Sequence, residues 1–128
     1  MKPVLVCLAL LLSAGAALTS APENKIPQDV FDGMRQSFRA DRARGIHARY
    51  EFDLSGPNGG HWWIEVNNGT CKIGRGIIAN PNVAFVASDR DWVALSNGHL
   101  SGVWATVTGR LKISGDRALA HKLDEMFP

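Results

Sequence analysis

Between Ile46 and Leu54 the chain alternates without a break, with Ile46, Ala48, Tyr50, Phe52 and Leu54 set against His47, Arg49, Glu51 and Asp53. A period of two with one apolar side specifies a half-buried strand. The pattern before it is different. Pro27 stands at a first helical turn, and Val30, Phe31, Met34 and Phe38 recur at helical spacing, which predicts an amphipathic helix ended by Gly45. Arg35, Arg39, Arg42 and Arg44 fall on its other face and its end, where cations complement the helix dipole.

The rest of the chain is punctuated in the same way. The run Ser55-Gly56-Pro57-Asn58-Gly59-Gly60 is a turn, and Trp62, Ile64 and Val66 then line one side of a second strand over 61–67. Asn67-Asn68-Gly69 supplies the left-handed backbone of a tight reversal, so Cys71 and Ile73 continue an antiparallel meander as strand three. Asn80-Pro81-Asn82 breaks the chain before Val83 to Ala87, a short apolar run suited to a more central strand. Ser88 then reads as an N-cap, with Asp91 three residues on and Asn97-Gly98 closing a helix that holds Trp92, Val93 and Leu95. A short helix carrying Trp104 is expected over 101–108, followed by a fifth strand over 110–114. Asp116 caps a last helix with Leu119, Ala120, Leu123 and Met126 on one face.

Residues 1–21 read as a signal peptide. Met1-Lys2-Pro3 is a short basic start, Val4 to Leu12 carries no charge, and small residues follow, with cleavage expected between 16 and 21. The apolar run is about half the length of a membrane-spanning helix. Cys7 lies inside that run, where a lipoprotein would need its cysteine at the end. Export to the periplasm or the exterior is therefore expected, leaving one domain over 22–128. Loss of Lys2 lowers the net charge from +2 by one unit, and a nearly neutral domain has no general electrostatic reason to bind nucleic acid. Cys71 then has no partner for an internal disulfide, so packing must hold the fold.

Catalytic and cofactor chemistry find no support in the spacing. Gly74-Arg75-Gly76-Ile77-Ile78-Ala79 has the letters of a dinucleotide fingerprint, but Asn80-Pro81 follows where a helix N-terminus would have to meet the phosphates. His47, His61, His99 and His121 are dispersed, and Asp89 and Asp91 are accounted for by capping. No cofactor and no metal are expected. Asn68-Gly69-Thr70 matches the N-glycosylation acceptor pattern on a turn, relevant only in a host with that machinery. The arginines from Arg35 to Arg49 are read as a solvated helix end, with transient membrane-surface contact as the alternative.

The order of elements and several motifs resemble the sterol carrier protein 2 family of lipid-transfer domains. The resemblance is carried by Trp62-Trp63-Ile64-Glu65-Val66 before Asn67-Asn68-Gly69, by Pro81-Asn82-Val83, and by Ser88-Asp89-Arg90-Asp91-Trp92 entering a helix that ends at Leu95-Ser96-Asn97-Gly98. Its most specific piece is Gly109-Arg110-Leu111-Lys112-Ile113-Ser114-Gly115-Asp116 followed by Leu119-Ala120 and Phe127-Pro128. The resemblance implies an α+β fold: a five-stranded, largely antiparallel sheet with helices packed on one face, enclosing an apolar tunnel. It implies a non-enzymatic protein that holds a sterol, a fatty acyl chain or another lipid reversibly. The inward faces expected to bind that ligand are Phe31, Met34 and Phe38 in the first helix, Trp62 and Ile64 in the sheet, and Trp92, Leu95 and Trp104 in the middle helices. Leu119, Leu123 and Met126 form an expected lid in the last helix. A protein-interaction module of the same fold with a closed cavity is the alternative, and an enzyme assembled from dispersed residues ranks below both.

Overall fold

The computed structural model describes residues 22–128, so the signal-peptide reading of residues 1–21 lies outside the described residues. The alternating run forms β1 (His47–Ser55), with Ala48, Tyr50, Phe52 and Leu54 all buried. It pairs antiparallel with β2 (Gly60–Asn67), in a register that sets Phe52 opposite Trp62 and Tyr50 opposite Ile64. The reversal after β2 uses positive φ at Asn68 (47°) and Gly69 (89°), as two-residue hairpin turns require. It leads into β3 (Thr70–Arg75), antiparallel to β2. Next, β4 (Val83–Ser88) lies on the other side of β1 and runs parallel to it, and β5 (Leu111–Gly115) closes the order β3-β2-β1-β4-β5. The sheet is thus mixed, with three antiparallel pairs and one parallel pair.

Four α-helices complete the fold: α1 (Pro27–Ser37), α2 (Asp89–Ser96), α3 (Gly102–Val107) and α4 (Arg117–Met126). Val30 and Phe31 of α1, Trp92 of α2, Ala105 of α3 and Leu123 and Met126 of α4 join the inward side chains of the strands in one core. Burial of one sheet face by helices is what the alternation of β1 demands, because the opposite face keeps Arg49, Glu51 and Asp53 near water. Each helix start has a local cause. The Asp29 carboxylate accepts from the backbone N–H groups of Lys25 and Ile26, and these bonds hold it below the usual carboxylate range. Ser88, Ser101 and Asp116 each accept from a backbone N–H of the first turn of α2, α3 and α4.

Two sequence expectations change. The first helix does not run to Gly45: it ends at Ser37, Phe38 leaves it with ψ of 129°, and a single 3₁₀ turn follows at Ala40–Arg42. The cause is tertiary. Leaving the helix lets the Phe38 ring meet Phe127 at 5.3 Å and the Arg39 N–H donate to Met126 O at 2.7 Å, contacts that a continued helix would forgo. Trp104, expected to face inward, is 58% exposed, because α3 turns only Ala105 toward the core.

The first glycine of the false fingerprint, Gly74, has a packing reason. The Trp63 ring lies over Gly74 on the neighbouring strand, in space that any side chain at Gly74 would enter. The arginine between the glycines stacks its guanidinium 4.3 Å from the Trp62 ring centre. Asp89 is the only buried charged group among the described residues. It accepts from the backbone N–H groups of Asn58 (2.9 Å) and Arg90 (2.8 Å), tying the β1–β2 turn to the start of α2.

Candidate functional site

Between the helices and the β4–β5 side of the sheet lies an open cleft of about 890 Å³. Its floor is Phe85, Leu111 and Ile113, which alternate inward from β4 and β5. One wall is α1, through Val30, Gly33, Met34 and Ser37. The facing wall is α4, through Ala120 and Leu123 three residues apart on one face, continued by Phe127 just past the helix end. Trp92 and Leu95 of α2, Leu100, and Val103 and Val107 of α3 close the third side. Its charged or titratable lining groups are Arg117, His121 and Asp124, all on α4, and its other polar ones are Asn24, Ser37, Ser96, Ser101 and Thr106. Such a cavity can hold an apolar body and leave a polar end in water.

Of the residues expected from the sequence to bind a ligand, Met34, Trp92, Leu95 and Leu123 line this cleft. Phe31, Trp62, Ile64 and Met126 are fully buried in the core outside its wall. Phe38 and Leu119 are half-buried against that core, also outside the wall, and Trp104 faces solvent. The floor residues and Gly33 escaped the sequence reading. Leu111 and Ile113 carried a usable signal in their alternation, whereas a glycine carries no hydrophobic signal at all.

One buried donor in the wall is unsatisfied: Trp92 Nε1 has no hydrogen-bond partner. The indole sits among the rings of Phe31, Phe52 and Phe85, with centroids 5.1–6.2 Å away, so its surroundings supply no acceptor.

The α4 wall is fastened by a phenol. Tyr50 Oη, rooted in the middle of β1, donates to Leu119 O at 2.7 Å. Burial, helped by the charge of Asp116, pushes the Tyr50 hydroxyl up to about 12. An unfolded tyrosine ionises near pH 10, so the neutral phenol contributes stability that is fully present below pH 10 and is lost as pH rises toward 12. Tyr50→Phe is expected to cost about 1 kcal/mol at neutral pH. The gap between the two proteins should close between pH 10 and 12, as read by denaturant midpoints; a gap independent of pH would deny the bond its role.

Other ionisable groups are dispersed. His99 meets Glu23 at 2.6 Å and His61 lies 3.9 Å from Asp53, both on the surface, while His47 is exposed and His121 stands at the cleft's edge. Among the described residues no three His, Cys, Asp or Glu side chains gather as a metal cluster. Cys71 is a free thiol in β3, and burial raises it to about 11 against the opposing charge of Arg35, so it stays protonated at neutral pH. The basic cluster is largely engaged: Arg35 donates to Ile73 O at 3.0 Å, Arg39 pairs with Asp41 and Arg49 with Glu65.

A five-stranded mixed sheet roofed on one face by helices, with an apolar cleft between the layers, defines a small α+β domain with an open interior. The SCP-2 sterol transfer family model matches residues 31–128, and the chain belongs to that family. Hydroxysteroid dehydrogenase-like protein 2 of Rattus norvegicus is 30% identical over 113 residues, which cover 88% of this chain and 22% of the relative. The chain spans under a third of the length of the curated relatives it matches. The solution structure of the sterol carrier protein domain 2 of Helicoverpa armigera is 30% identical with a TM-score of 0.61, covering 82% of this chain and 91% of that one. Palmitated SCP2L2 from Aedes aegypti shares the fold at a TM-score of 0.67 and 20% identity, covering 80% of this chain and 95% of that one.

Proposed function

We propose that this chain is an exported, non-enzymatic lipid-binding and transfer protein. It takes a sterol, a fatty acyl chain or another apolar ligand into the cleft, and the signal peptide is removed on export by cleavage between 16 and 21. The observation that carries the reading is the cleft itself: about 890 Å³ left open beside a core that is otherwise closely packed, with a floor of Phe85, Leu111 and Ile113. Family membership and the palmitate named for the Aedes aegypti relative favour the same ligand class.

Reversibility follows from magnitudes. Burying roughly 400 Å² of lipid surface at about 25 cal/mol per Å² yields on the order of 10 kcal/mol gross. Association costs of about 4–15 kcal/mol offset most of it, leaving an affinity that permits release. α4 is the proposed gate, since it forms one whole wall of the cleft and opening a single helix costs less than unfolding the domain.

Native mass spectrometry of protein recovered from the exporting host tests the reading. The expected result is a chain shortened by 16–21 residues carrying a non-covalent lipid, which a fluorescent fatty acid displaces. A correctly folded protein that neither carries a lipid nor takes up the fatty acid would overturn it.

A further inference from the structure

We propose that the uncharged surface of α3 docks on a lipid bilayer and sets the mouth of the cleft against it. The inference rests on the apolar-ligand reading above and adds where the ligand is exchanged. Val103, Trp104 and Val107 are 76%, 58% and 72% exposed, an apolar density that a water-facing helix does not need. Val103 and Val107 also line the cleft, so the exposed patch and the rim of the cavity are one surface.

The α3 surface itself carries no formal charge. Residues 92–109 contain no Asp, Glu, Lys or Arg, and the flanking Asp91 and Arg110 neutralise each other across 2.7 Å. The hydroxyls of the helix are turned back onto its own backbone. Thr106 Oγ1 donates to Gly102 O and Thr108 Oγ1 to Trp104 O, each at 2.8 Å, while Ser101 Oγ accepts from Trp104 N. An exposed tryptophan beside valines suits the interfacial zone, where an indole has both an apolar body and a polar N–H to place.

The first described residues are held at the same cleft: Asn24 N donates to Asn97 Oδ1 (3.0 Å), Asn97 Nδ2 donates to Asn24 O (2.8 Å), and Asn24 is itself part of the wall. A protein partner fits less well, because a six-residue helix offers far less than the roughly 800 Å² per partner that a stable interface buries. With the mouth seated on the bilayer, an apolar ligand passes between cleft and membrane without crossing water.

The test is sedimentation of the purified protein with phosphatidylcholine vesicles, with and without phosphatidylserine, alongside Trp104→Asp, a residue outside the cleft wall. The native protein should bind pure phosphatidylcholine with an affinity that salt changes by less than about twofold. Trp104→Asp should weaken vesicle binding by about tenfold or more, while circular dichroism and uptake of a dissolved fluorescent fatty acid stay unchanged. Unaltered vesicle binding by the variant would overturn the inference. So would binding that demands phosphatidylserine and vanishes in salt, which would assign the contact to the arginines. A dimer in the native protein that Trp104→Asp dissolves would assign the patch to a second copy instead. Fatty-acid uptake without vesicle binding would defeat this inference alone, and loss of both would defeat the ligand reading as well.

Discussion

Phe31→Ala is expected to destabilise the domain by about 3–5 kcal/mol, the range for removing a fully buried aromatic ring. Phe31 has no exposed surface and touches three other rings: it stacks on Trp62 at 5.1 Å and on Trp92 at 5.9 Å, and meets Phe52 edge-on at 5.1 Å. These contacts join α1 to the sheet and to α2, so the truncated site cannot collapse without moving both. Against a total stability of about 5–15 kcal/mol the loss is large. Chemical denaturation reads it directly, with Trp104→Ala as the comparison, since a 58% exposed ring should change the midpoint little. A loss at Phe31 below about 1 kcal/mol would contradict the packing described for the core.

The same residue shows what sequence resolves and what it leaves to the structure. Phe31 and Met34 share one helical face and read identically as inward apolar groups. In space, Phe31 plugs the aromatic core while Met34, one turn on, borders the cleft. Periodicity reports which side of an element is buried, and both a filled interior and the wall of a cavity satisfy it. The strands and caps were legible because their causes are local: alternation for β1, left-handed turn residues at Asn68-Gly69, and oxygen acceptors at Ser88 and Asp116. The end of α1 was not, because the contact that draws Phe38 out of the helix belongs to Phe127, 89 positions away. Trp104 misled for the opposite reason. A helix of six residues is too short to show a period, so the sequence around Trp104 does not reveal which way its ring faces.

Gly33 is the residue through which the cleft itself is best interrogated. It sits in the middle of α1, where glycine costs about 0.5–1 kcal/mol relative to alanine, and a Cβ built there meets nothing within 4 Å. The space it fails to fill is the cleft that it lines. Gly33→Ala is therefore expected to raise stability by up to about 1 kcal/mol and leave ligand uptake nearly intact. Gly33→Trp projects a ring of roughly 150–250 Å² into the same opening. Displacing about 100 Å² of ligand contact costs on the order of 2–3 kcal/mol, so the tryptophan variant should bind a fluorescent fatty acid about fiftyfold more weakly. Its thermal midpoint should not fall below that of the native protein, which separates a filled cleft from a damaged fold. Equal affinity in the native protein and both variants would show that the ligand does not occupy this cleft, and the wall residues Met34, Leu95 and Leu123 would then belong to the same structural class as Phe31.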